Sequence, residues 1–210
     1  MDKIVFLGGN GHAIELYEYM KRDGIEIAGY YAPQPDALSE WVPYLGNENK
    51  NFDSTCFYVV ACGLIPLRKK LIQFIESHQL KPYTYISKRA NVSTIAKIGA
   101  GAQIVPQATI SGNPEIGKYL LANIDTMVAH QSIIGDNVVL SPGAKITGNC
   151  KVGDNVTLGS NAALIPGTII EHDAEIGIGA VPRRFVEAGI LVKLPPCEIK
   201  DRQRLHTNIL

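Results

Sequence analysis

The chain has 210 residues, 46% hydrophobic and 19% charged, an ordinary balance for a soluble globular protein of one or two domains. Its 20 basic and 20 acidic residues cancel, which argues against charge-driven binding to nucleic acid or to a membrane surface. Cys56, Cys62, Cys150 and Cys197 show no paired spacing, the start Met1-Asp2-Lys3-Ile4 has no apolar leader, and no apolar run reaches about eighteen residues; a reduced, cytoplasmic protein without a membrane span is expected.

The first apolar run, residues 4–7, is followed at once by Gly8-Gly9-Asn10-Gly11-His12. A continuous apolar strand that ends in glycines and then a helix predicts the opening of a Rossmann-like unit. The helix is expected over 13–22, with Ile14, Leu16, Tyr17 and Met20 on its buried face and Gly24 as its stop. A second strand is expected at 25–31, then a loop at 32–51 carrying Pro33, Pro35, Pro43 and Gly46. A third strand at 57–61 ends at Cys62-Gly63. An amphipathic helix at 65–78 uses Leu67, Leu71, Ile72 and Ile75, and a last strand is expected at 83–86. This order predicts a small parallel sheet covered by helices.

From Val92 onward every sixth residue is aliphatic: Val92, Ile98, Ile104, Ile110, Ile116, Ala122, Val128, Ile134, Leu140, Ile146, Val152, Leu158, Leu164, Ile170 and Ile176. Two residues earlier stands a mostly small residue, as in Ala102, Ala108, Ser132, Ala144, Cys150 and Ala162, and glycine often follows the aliphatic one. Neither the helical period nor the strand period yields six, whereas a β-helix does: one hexad makes a short strand and a turn, and three hexads close a triangular coil. About five coils are predicted, each aliphatic side chain stacking on its equivalent one coil away. The domains are expected at 1–87 and 88–182, with a tail at 183–210 that carries Pro195-Pro196 and a polar end.

The glycine loop matches only part of G-x-G-x-x-G, since Ile14 stands at the third glycine, and Tyr30-Tyr31-Ala32-Pro33 ends the second strand without an acidic residue. Dinucleotide binding is therefore weakly supported, although a glycine loop feeding a helix can hold a phosphate or sugar through backbone N–H groups. His12 is either a ligand contact or an exposed neighbour of the helix cap. His78 and His206 read as bland. His130 and His172 follow the hexads of Val128 and Ile170; the phase puts them on different faces and more than two coils apart, with no third coil histidine, so no metal site is expected. His130 is either a general base or a surface-turn residue. Seven residues before it, Asn123 follows Leu120-Leu121-Ala122, a hexad that breaks the small-residue pattern.

With these motifs in view, the chain resembles the sialic acid O-acetyltransferase type of hexapeptide-repeat acyltransferase, and within it the nucleotide-amino-sugar N-acetyltransferases of bacillosamine and perosamine pathways. The resemblance runs to about Pro182. It rests on Gly8-Gly9-Asn10-Gly11-His12, on Ala61-Cys62-Gly63 with Arg68, on Asn123, and on His130-Gln131-Ser132-Ile133-Ile134-Gly135. It implies a left-handed β-helix behind the Rossmann-like domain and a homotrimer with the active site between adjacent β-helices. Acetyl-CoA would serve as co-substrate and a nucleotide-linked amino sugar as acceptor. It further implies His130 as general base with Asn123 and Gln131 beside it. Gly8, Asn10, Gly11, His12 and Gly63 would meet the sugar nucleotide, and Gly143, Gly148, Ser160 and Ile178 the CoA groove.

Four positions depart from the family. Gln131 replaces the usual Glu or Asp after the histidine, and Val139 replaces a second histidine. Ala32-Pro33 replaces an acidic pair, which leaves the nucleotide open. Val192-Lys193-Leu194-Pro195-Pro196 replaces V-G-x-P-A-K. Arg183, Arg184 and Lys193 are then either contacts for CoA phosphates or a solvated basic tail. The alternatives to N-acetylation are O-acylation of a sugar or sialic acid, transfer of a larger acyl group, and a degenerate paralogue that only binds a sugar nucleotide. The missing carboxylate favours an amine over an alcohol as nucleophile.

Overall fold

The structure is a computed structural model that describes residues 3–48 and 52–195. Pro196, Cys197, His206 and the predicted polar end lie outside the described residues, as do Met1, Asp2 and residues 49–51 at the end of the proline-bearing loop. The amino-terminal part holds β1 (Ile4–Leu7), α1 (Asn10–Arg22), β2 (Ile27–Tyr31), β3 (Phe57–Val60), α2 (Ile65–Ser77) and β4 (Lys81–Pro82). The strands form one parallel sheet in the order β2-β1-β3-β4. All four residues of β1 are buried, because alternate side chains enter different cores. Ile4 and Phe6 pack with Leu16 and Met20 of α1; Val5 and Leu7 pack with Leu71, Phe74 and Ile75 of α2.

Two expectations shift here. Helix α1 begins at Asn10, inside the glycine loop, because Asp36 caps it from outside: its Oδ2 accepts the Asn10 N–H at 2.9 Å. The last strand divides. Lys81–Pro82 pairs with β3, whereas Tyr85–Ile86 pairs with Gln103–Ile104 and so opens the β-helix. Ile86 is one hexad before Val92 and in phase with it, but at the open end of the solenoid it stays exposed.

The β-helix has three parallel sheets, its faces. Face 1 runs from Tyr85–Ile86 to Leu191–Val192 in seven strands, face 2 from Asn91–Val92 to Ala163–Leu164 in five, and face 3 from Lys97–Ile98 to Phe185–Val186 in six. It makes about six turns, more than the predicted five. The aliphatic residues from Ile104 to Ile176 fill one continuous core, with Ala102, Ala108, Ala144, Cys150, Ala162 and Ala174 buried at its corners. Backbone groups pair from coil to coil, as in Met127 N–H to Ala144 O at 3.0 Å and Ala129 N–H to Ile146 O at 2.9 Å. The bend at each corner comes from a residue in the left-handed region, three places after the aliphatic one: Gln107, Asp125, Gln131, Asn137, Asn149, Asn155, Asn161 and Asp173, or glycine at 101, 143, 167 and 179. Short polar side chains and glycine tolerate that conformation best. Beyond Ile176 the phase fades because the last coil is shorter: Phe185 pairs with Ile169 and Leu191 with Glu175.

The amino-terminal part is packed on face 1. Its outward residues Gln103, Leu121 and Val139 are buried, whereas Lys97, Glu115, Ile133, Lys151 and Ile169 on face 3 are exposed. Two buried polar groups join the parts. Arg68 of α2 donates to Cys62 O at 2.8 Å on its own side, and to Asn137 Oδ1 at 2.8 Å and Tyr119 O at 2.5 Å on the solenoid. Asp23, at the end of α1, accepts from Tyr85 Oη at 2.7 Å, Ser87 Oγ at 2.8 Å and the Lys88 N–H at 3.1 Å.

Candidate active site

His130 stands at the corner between faces 2 and 3, where strand Met127–Val128 turns toward Ile133–Ile134. One coil before it is Gly112 and one coil after it is Gly148. A Cβ on Gly112 would lie 2.7 Å from His130 Cβ, and one on Gly148 would lie 2.4 Å from Cε1 and 2.5 Å from Nε2. The imidazole therefore rests on a surface kept flat by glycine, and it is exposed. Gln131 bends the chain with φ +58°, and its Oε1 lies 3.2 Å from His130 Nδ1. An amide oxygen accepts from an Nδ1–H, and the tautomer with that hydrogen leaves the Nε2 lone pair for general-base work.

The glycine loop lies on the other side of the molecule. Gly8, with φ +102°, ends β1, and a Cβ there would meet Ala61 O at 3.1 Å. Gly8, Gly9 and Asn10 line a cleft of about 310 Å³ together with Tyr31, Asp36 and Leu67. This cleft is at the carboxyl ends of the strands, where the chain leaves β1 for β2 on one side and resumes at β3 on the other, the usual place for a ligand in such a sheet. Asp36 Oδ1 also accepts the Leu38 N–H at 3.0 Å. His12 is partly buried against the solenoid, with Nε2 3.3 Å from Gln103 Oε1. Burial pushes His12 down to about 4; the Gln103 contact opposes the shift and the Arg68 guanidinium adds to it. Burial likewise lowers Arg68, to about 10.

The other candidate residues fall into separate groups. Asn123, Gly143, Ser160 and Ile178 lie at the corner between faces 1 and 2; His130, Gln131 and Gly148 lie at the corner between faces 2 and 3. Gly63 follows β3, 4.0 Å from the outward side chain of Leu121 if it carried a Cβ. Asn123 is not beside His130 in the same chain: its Oδ1 accepts the Ile124 N–H at 2.7 Å, on the other side of face 2. His172 lies at the third corner, between faces 3 and 1, with Nδ1 2.9 Å from Asp173 Oδ2. Val139 is buried beneath the amino-terminal part. Arg183, Arg184 and Lys193 are exposed in the last coil. Sequence reasoning missed Gly112, Gln103 and Asp36. Gly112 was detectable, since it precedes His130 by one coil as Gly148 follows it.

No family model matches the chain. It is 38% identical over 111 residues to GDP-perosamine N-acetyltransferase of Escherichia coli O157:H7, 53% of this chain and 50% of that protein. The chain thus spans about half the length of that curated relative. It is 26% identical over 162 residues to galactoside O-acetyltransferase of E. coli K12, 64% of this chain and 78% of that protein. Among solved structures, PerB from Caulobacter crescentus in complex with CoA and GDP-perosamine superposes with a TM-score of 0.82 at 27% identity, covering 91% of this chain and 93% of that one. The acetyltransferase domain of PglB from Neisseria gonorrhoeae, at 22% identity, shares the fold with a TM-score of 0.85 over 91% of this chain and 96% of its own. In its left-handed parallel solenoid and in these matches, the chain is similar to hexapeptide-repeat β-helix acetyltransferases.

Proposed function

We propose that the protein is an acetyl-CoA-dependent N-acetyltransferase acting on a nucleotide-linked amino sugar. The observation that carries the reading is His130, exposed over Gly148 with its Nδ1 3.2 Å from Gln131 Oε1, in a chain similar to GDP-perosamine N-acetyltransferase. In this reading His130 Nε2 takes the proton as the sugar amine attacks the thioester carbonyl; a C–N bond forms, the C–S bond breaks, and the proton passes to the departing thiolate. Backbone N–H groups meet the oxyanion. Gln131 holds the imidazole and Asn123 faces the reacting centre. Gly8, Asn10, Gly11, His12 and Gly63, within a Rossmann-like unit at 1–87, hold the sugar nucleotide. Gly143, Gly148, Ser160 and Ile178 line the CoA groove, in a solenoid at 88–182 that ends in a tail at 183–210. The small residues Ser141, Gly143, Gly159, Ser160 and Gly177 along one corner leave room for an extended pantetheine chain.

The glycine loop and His130 lie on opposite sides of one solenoid, and Asn123 lies at a third place. The groups converge only between copies, which favours a homotrimer with its active sites at the interfaces. Among the described residues no helix is long and apolar enough to cross a membrane, and a cytoplasmic location is part of the proposal. The test is thiol release from acetyl-CoA with a panel of UDP-, GDP- and dTDP-linked amino sugars. Release with one member, and a product whose acetyl group survives hydroxylamine, is the expected outcome. Silence across the panel, or an acetyl group lost to hydroxylamine, overturns it.

A further inference from the structure

We infer that Gln103 is a positioning residue that fixes His12 as a neutral imidazole with a bare Nδ1, and that this nitrogen accepts a hydrogen bond from a hydroxyl or amine on the sugar half of the ligand. The second half of the inference rests on the sugar-nucleotide reading above. Gln103 stands on the second strand of face 1 and is fully buried. Its Nε2 donates to Val60 O at 2.8 Å, so the amide cannot turn over without losing that bond. The group facing His12 Nε2 is therefore Oε1, at 3.3 Å. Oxygen can only accept, so His12 Nε2 bears the hydrogen. Burial keeps the ring uncharged at neutral pH, and Arg68 is the charged side chain that acts on it, in the same direction. A neutral imidazole has one N–H, which leaves Nδ1 as an acceptor.

Among the described residues, no side-chain nitrogen or oxygen is both buried and without a partner. The bond of His12 is made by Nε2, so Nδ1 is without a partner and is not completely sealed from solvent. The glycine-loop cleft is lined by Gly8, Gly9 and Asn10; His12, two residues further on, is turned toward face 1. A ligand whose nucleotide lies in the cleft extends its sugar past His12 toward the solenoid. A neutral acceptor there does not pair with a phosphate; it selects a donor.

The test combines imidazole nitrogen NMR of the labelled full chain with steady-state kinetics of Gln103→Glu and Gln103→Met. In the unaltered protein at neutral pH, His12 should show a protonated Nε2 and an unprotonated Nδ1. Gln103→Glu places a carboxylate beside the ring, charges it and converts Nδ1 to a donor; the KM for the sugar nucleotide should rise roughly tenfold, with the KM for acetyl-CoA unchanged. Gln103→Met removes the acceptor without charging the ring, should give a smaller rise in the same KM, and decides the matter if the Glu variant does not fold. A doubly protonated ring, a hydrogen on Nδ1, or sugar-nucleotide KM values unchanged in both variants would overturn the inference. If no sugar nucleotide is turned over, it is the functional reading that fails, and the NMR spectrum alone still decides the Gln103–His12 assignment.

Discussion

His130 owes its position to residues that have no side chain. Replacing Gly148 with Ala puts a methyl group 2.4 Å from Cε1 and 2.5 Å from Nε2. The ring is the free end of an exposed side chain and can swing away, so Gly148→Ala should leave the melting temperature nearly unchanged while kcat falls about tenfold or more, since a misplaced catalytic group loses its alignment. Gly112→Ala acts on the backbone instead. Gly112 has φ +74°, and the new Cβ would meet His130 Cβ and Cα, so stability should fall by about 1–2 kcal/mol as well as activity. Thermal denaturation beside kinetics separates the two; equal stability losses would refute the flat-surface argument. His130→Ala should lower kcat about a hundredfold to ten-thousandfold in a folded protein, and normal turnover would remove its role as base. Of this site, His130 and Gly148 were legible because they sit in or beside a phased repeat. Gln103 and Asp36 were not, because they act on His12 and Asn10 across 91 and 26 positions of sequence. The role of Gln103 exists only once the amino-terminal part is packed on face 1, and that of Asp36 only once its loop folds back over the start of the first helix.

At the scale of the element, each coil from Ile104 to Ile170 holds one aliphatic side chain per face, large except at Ala122, and stacks it on the next. Leu158 is fully buried, with Leu140 below and Ile176 above. Leu158→Ala should cost about 2–5 kcal/mol, since the coils on both sides keep their spacing through backbone hydrogen bonds and cannot close the cavity. A denaturant melt reads this directly, and a loss below 1 kcal/mol would mean that the solenoid collapses around the gap. The turns carry the opposite burden. Gln107 is exposed with φ +66°, where Gly fits better than Gln; Gln107→Gly should raise stability by roughly 0.5 kcal/mol, relief of the left-handed strain outweighing the extra freedom of the unfolded chain. A lower melting temperature would contradict this. The repeat was legible because no helix or ordinary strand yields a period of six. Its turns were less so: the left-handed place is filled by Asn, Asp, Gln, Gly and even Tyr119, a column visible only once the coils are aligned. The first strand was obscured because Tyr85 buries its side chain under the amino-terminal part while Ile86 sits at the open end.

At the scale of the molecule, the two parts are held together by buried polar groups as well as apolar contact. Burial alone would raise the Asp23 carboxyl, but hydrogen bonds from Tyr85, Ser87 and the Lys88 N–H outweigh it and hold it below its ordinary value. Its stabilising contribution is therefore complete above the unfolded carboxylate range and is lost as pH falls through the lower, folded value. Asp23→Asn should cost about 1–3 kcal/mol near neutrality, with the deficit shrinking under acid; a deficit independent of pH would show that the charge is irrelevant. The wider arrangement makes a sharper demand. The amino-terminal part covers face 1, and His130 looks out from the corner opposite, so a site that uses both must take them from different copies. Co-expression of His130→Ala with His12→Ala tests this. Each variant alone should be poorly active at low sugar-nucleotide concentration. In mixed trimers formed at equal amounts, roughly one site in four draws an intact glycine loop from one copy and an intact His130 from the next, so about a quarter of wild-type activity should return. Recovery of that size requires the site to cross the interface, because a site within one chain is damaged in every subunit of the mixture and could regain nothing.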